Sequence, residues 1–132
     1  MKSPIVSIRR AQGTELATNV AMLHLLAALT LLLSAADHWT TYLCLRSPVS
    51  GFDVTEANPF AAWLFQSVGL TEGLIIDSLL TVAALAFLLT TRWMPRAAKV
   101  AFLIAVIGWT GFAVANNLNA LYLLGLSPIG AG

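Results

Sequence analysis

Charge is scarce in this sequence. Seven basic and six acidic residues make up 10% of its 132 positions, against about 25% in a soluble domain. Hydrophobic residues make up 58%, where roughly 45–50% is usual. The gaps between charges are what exclude an ordinary soluble domain: residues 16–36 and 100–132 carry none, and residues 73–91 carry only Asp77. A bilayer core of about 30 Å needs about 20 apolar helical residues, and these stretches supply them. Basic clusters are missing apart from Arg9-Arg10, and the net charge is +1, which argues against a nucleic-acid partner. Cys44 is the one cysteine, so no intrachain disulfide forms and the redox compartment cannot be read from it. No internal repeat or low-complexity linker divides the chain.

What is present predicts an all-α membrane protein of three transmembrane helices, with one short helix between the first and second. A polar arm, residues 1–18, precedes a transmembrane domain at 19–125, and a tail covers 126–132. The spans fall at about 19–45, 72–91 and 97–124. The run Ser47-Pro48-Val49-Ser50-Gly51 ends the first, because proline removes a helix donor and glycine and serine favour turns. Ser34-Ala35-Ala36 before Asp37 resembles a signal-peptide cleavage site. The long arm and the return of hydrophobicity at Trp39 to Leu45 favour an uncleaved span. Between spans, Asn58 is a good helix N-cap, Pro59 suits the first helical position and Gly69 is a natural stop. The resulting helix, 58–68, is too short to cross, and is read as interfacial or re-entrant. Basic residues sit on the arm and at Arg92, Arg96 and Lys99, with only Arg46 between the first two spans. The bias predicts a multi-pass inner-membrane protein, amino terminus cytoplasmic and carboxy terminus outside.

Eleven of the charges lie on the arm, the loops or the span ends; Asp37 and Asp77 do not. Ionisable groups inside a span are costly, and each is a functional-site hypothesis by default. At 1.5 Å per residue, Asp37 lies about 27 Å from the inner end of span one and Asn116 about 28 Å along span three, while Asp77 lies about 8 Å below the outer end of span two. All three share the outer third of the membrane. Asp37, Thr40, Thr41 and Cys44 share a helical face; Asn116 and Asn119 share another, with Asn117 displaced from it. The expected cluster is Asp37, His38, Thr40, Thr41, Glu56, Asn58, Asp77, Asn116, Asn117 and Asn119. Neither aspartate has an obvious cationic partner, so each is expected to be protonated, to share a proton or to bind a cation. Threonines and asparagines also serve as interhelical packing glue.

The pattern Asp37-x-x-Thr40-Thr41, followed by Glu56-x-Asn58-Pro59, a polar residue in the next span and asparagines late in the last, resembles a family of small prokaryotic integral membrane proteins catalogued as a domain of unknown function. The resemblance covers roughly residues 20–124 and implies a three-span fold. It carries no established activity to transfer.

Four functional classes follow from the residues. The leading one is an accessory or structural subunit, self-associating or docked on a larger membrane complex through small residues of span three such as Gly108 and Gly111. The second is ion or proton handling through Asp37 and Asp77, with carboxylates, hydroxyls and amides as hard oxygen ligands. The third is a haem b-binding homodimer: His24 and His38 lie roughly 21 Å apart on span one, about 40° from eclipsed, and no other span has a histidine. The fourth is an enzyme with Asp37 and Asp77 as an acid and base pair. No serine or cysteine nucleophile stands beside a histidine in the sequence reading.

Overall fold

The computed structural model describes the backbone of residues 4–46 and 49–130, with side chains from residue 18 onward. Lys2 of the arm, Ser47 and Pro48 of the predicted break, and the last two tail residues lie outside the described residues. The elements are α1 (Pro4–Arg46), α2 (Pro59–Val68), α3 (Leu70–Thr90) and α4 (Arg96–Leu123), with no strand among the described residues. Three segments are long and apolar enough to cross a membrane: Thr18–Arg46 of α1, α3 and α4, at 29, 21 and 28 residues. At 1.5 Å per residue they are about 43, 31 and 42 Å long. Large side chains such as Leu25, Leu32, Phe87 and Trp109 stand on their outer surfaces. An apolar surface of that extent suits lipid rather than water.

The first helix starts earlier than the predicted span. Pro4 is tolerated in a first turn because its missing N–H has no helical partner there, and a single glycine, Gly13, costs only about 1 kcal/mol in a helix interior. The short helix has the ends its sequence signals. Asn58 Oδ1 accepts from the Phe60 N–H at 3.0 Å, Pro59 takes the first position, and Gly69 stops the helix with φ +102° while its N–H bonds Phe65 O. That positive φ suits glycine, and α3 begins at the next residue. Gly73 then lets α2 lie close on α3, since a Cβ there would stand 2.5 Å from the Phe65 ring.

α1 packs against both α3 and α4, and α2 packs on α3. At one end Leu85, Leu88 and Leu103 form a core with Leu23 and Leu26; at the other, Leu43, Cys44 and Leu121 pack with Tyr42, Val54 and Leu126. Polar side chains occupy the level between these two apolar layers. The α3–α4 end is fastened by basic residues. Lys99, placed by its sequence among the loop charges, is buried, and its Nζ donates to Thr91 O at 2.6 Å and Leu89 O at 3.4 Å. A cation there satisfies carbonyls left open at the C-terminus of α3 and opposes its negative dipole end. Arg96 donates to Asn19 O at 2.5 Å, tying the start of α4 to α1. α4 ends in a Schellman turn: Leu126 N–H bonds Leu121 O and Gly125 N–H bonds Tyr122 O, with Gly125 at φ +68°. The tail folds back, and Trp39 Nε1 donates to Pro128 O.

Candidate functional site

Two adjacent residues of α1 point to different neighbours. Successive helical positions are about 100° apart, so Asp37 meets α4 while His38 meets α3. On the α4 side, Asn117 Nδ2 donates to Asp37 Oδ1 at 3.0 Å and lies 3.0 Å from Thr41 Oγ1 and 3.2 Å from Thr40 Oγ1. Thr40 spends its own proton on the carbonyls of Ala36 and Asp37, leaving its oxygen to accept. A carboxylate and a hydroxyl oxygen both demand a donor, which fixes the amide with nitrogen inward. Cys44 Sγ approaches Asn117 O at 3.7 Å.

On the α3 side, His38 Nε2 lies 2.8 Å from Asp77 Oδ2, and Ser78 Oγ lies 2.8 Å from His38 Nδ1 and from Leu74 O. The serine hydroxyl has one proton. Given to Leu74 O, it leaves Oγ to accept from Nδ1–H; given to Nδ1, it leaves Nε2–H to bond the carboxylate. In either arrangement a proton lies between Nε2 and Oδ2, and the ring has no nitrogen free. Asp77 thus has the partner that the sequence reading did not find for it, and a serine does stand beside a histidine. His38 is 16% exposed and Asp77 33% by side chain, a setting in which a hydrogen bond to a charged group is stronger than in water.

These two sets of side chains share one cavity of about 570 Å³, walled by α1, α3, α4, the loop before α2 and α2 itself. Asp37, His38, Thr41, Asp77 and Asn117 line it; Glu56 and Asn58 close its loop side. Glu56 Oε1 also accepts from the Asn58 N–H at 2.8 Å. Among the described residues, no lysine or arginine lines it. Ser78 is not among the lining residues, so of the Ser78–His38–Asp77 row only the imidazole and the carboxylate border the cavity. No family model matches the chain, and searches of the curated proteins and of the solved structures also find no match.

The asparagines are placed differently from the expected face. Asn117, the one thought displaced, enters the cluster; Asn116 is exposed at the cavity rim and Asn119 is exposed. The reason is the α1–α4 seam. Leu103 and Leu121 are buried on it, 18 residues or five turns apart, and Asn117 stands one turn before Leu121. Of the two histidines of α1, His24 is exposed with Nδ1 against Val20 O, while both nitrogens of His38 are engaged. Ser78 and Lys99 are the residues that sequence reasoning missed. Ser78 follows Asp77 directly, and its distance from His38 in sequence hid the contact.

Proposed function

We propose that this chain is a multi-pass membrane protein that handles a positively charged ligand in the cavity between α1, α3 and α4. One observation carries the reading: Asp37, Glu56 and Asp77 line a single cavity, to which the described residues bring no lysine or arginine, and of the three Asp77 has an imidazole against it. A carboxylate held in a low-dielectric setting by a neutral amide favours a cation. The positive-inside bias of Arg92, Arg96 and Lys99 puts the cavity toward the outer face, with the amino terminus cytoplasmic. The Asp-x-x-Thr-Thr and Glu-x-Asn-Pro pair supports membership of the prokaryotic family it resembles, and with it an inner-membrane location.

The test is the melting temperature of the purified full chain in detergent with sodium, magnesium, calcium and small ammonium salts. A ligand at 100 times its Kd contributes about 2.7 kcal/mol, so at least one cation raises the melting temperature. Asp37→Asn together with Glu56→Gln abolishes the shift, because asparagine at 37 still accepts from Asn117 and keeps the helix contact. No shift in the unaltered protein, or an equal shift in the double variant, sinks the reading.

A second reading, a self-associating or accessory subunit, is favoured by α4. Among the described residues, nothing beyond α4's own backbone lies within 4 Å of where a Cβ on Gly108 or Gly111 would stand, leaving a small-residue surface on which another helix can pack. Under this reading Gly108→Leu with Gly111→Leu converts an oligomer in native mass spectra to monomer; an unchanged mass distribution removes it.

A further inference from the structure

We infer that the cavity takes an organic ammonium group carried on an apolar body and without an adjacent phosphate. This rests on the cation reading and names the class of cation. Carboxylates alone suit a metal ion equally, so size and wall chemistry must separate the two. A bare ion or a water needs a space on the order of 30 Å³, whereas ligand pockets run to about 300–1,000 Å³; this cavity is about 570 Å³. Among the described residues, no three His, Cys, Asp or Glu side chains are grouped to hold a metal ion.

The walls are divided by chemistry along the cavity. Asp37 of α1, Asp77 of α3 and Glu56 of the loop before α2 supply its carboxylates. Trp109 and Phe112 of α4 and Phe65 of α2 supply aromatic wall. Asn117 marks the Asp37 level on α4, and Trp109 is eight residues before it, about 12 Å deeper at 1.5 Å per residue. Trp109 is 78% and Phe112 70% exposed, so the aromatic wall runs on into the lipid-facing surface. Aromatic faces attract ammonium ions and pack apolar groups. Among the described residues the lining also has no lysine or arginine to match a phosphate, and Arg is the usual partner where phosphate is recognised. A phosphatidylethanolamine headgroup would therefore place its phosphate unpaired beside three carboxylates, and an amphipathic amine without phosphate fits instead.

The experiment measures binding to the full chain in nanodiscs of phosphatidylglycerol, using phenethylammonium, ethanolamine and calcium as soluble probes, and a parallel set of discs containing phosphatidylethanolamine. Phenethylammonium is expected to raise the melting temperature and to bind at least ten-fold more tightly than ethanolamine. Asp37→Asn weakens it at least ten-fold, and Trp109→Leu weakens it several-fold while leaving the unliganded melting temperature unchanged, as befits a surface residue. Stabilisation by calcium alone overturns the inference and leaves the cation reading standing. Stabilisation only in phosphatidylethanolamine discs also overturns it, in favour of the headgroup. No response to any probe overturns the inference, and the cation reading falls with it when sodium and magnesium also leave the melting temperature unchanged.

Discussion

Asn117→Leu destabilises the purified protein by about 2 kcal/mol in reversible unfolding in micelles, although leucine has nearly the same shape. Interhelical hydrogen bonds between neutral groups in membranes average only about 0.6 kcal/mol and reach about 1.7. Asn117 stands above that range for a specific reason. Its amide donates to a carboxylate, and bonds to charged groups are worth about 1.5–3 kcal/mol. Removing it leaves Asp37 without that donor between two apolar layers, and the cost of stranding a charged group exceeds the worth of the bond. The same logic fixes the rescue. Asp37→Leu in the Asn117→Leu background restores stability relative to Asn117→Leu alone, because two apolar groups of similar shape replace a matched polar pair. A loss below about 0.5 kcal/mol for Asn117→Leu, the range of ordinary surface changes, means that water in the cavity satisfies Asp37 and that the amide only fills space.

The helices were legible in the sequence because a bilayer imposes lengths that charge spacing reveals. Long stretches with one charge or none mark α1, α3 and α4, and the ends of α2 follow from local chemistry at Asn58, Pro59 and Gly69. Two features of the fold were less legible. Helix α1 extends back to Pro4, since polar residues end an apolar stretch without ending a helix. Lys99 was counted with the loop charges, yet its flexible stem carries the ammonium onto the end of α3. A charge that marks topology in sequence can also close a helix.

The level that the site residues share along the helices was legible, and their facing was not. Depth arithmetic depends only on rise per residue, and it put Asp37 and Asp77 together with the late asparagines. Facing depends on which side of a helix is buried. A soluble helix discloses that side through its polar face, whereas a lipid-solvated helix is apolar all round. Asn116, Asn117 and Asn119 therefore carried no mark of which one met α1, and the answer came from Leu103 and Leu121 on the packed seam. The Asp77–His38 contact spans 39 positions, and no periodicity within one helix reports a pairing between two.

Breaking the His38–Asp77 pair from its two sides gives unequal losses, and the order of those losses is the prediction with the most structural content. His38→Leu costs about 3 kcal/mol and Asp77→Leu about 1–2, both read by reversible unfolding in micelles. Loss of the imidazole leaves Asp77 unpaired in a wall already holding Asp37 and Glu56, so like charges add to desolvation. Loss of the carboxylate leaves an imidazole that can stand neutral and still bond Ser78. The double variant costs less than the two singles added, with a coupling of about 1–3 kcal/mol as expected for a charge-assisted bond in low dielectric. Asp77→Asn recovers part of the loss, since its carbonyl oxygen accepts from Nε2–H. Ser78→Ala costs only about 1 kcal/mol, because it removes a neutral partner and strands no charge. Equal losses from the two sides, or additive ones, would mean that α1 and α3 are held by the apolar layers at either end and that the pair belongs to the cavity alone.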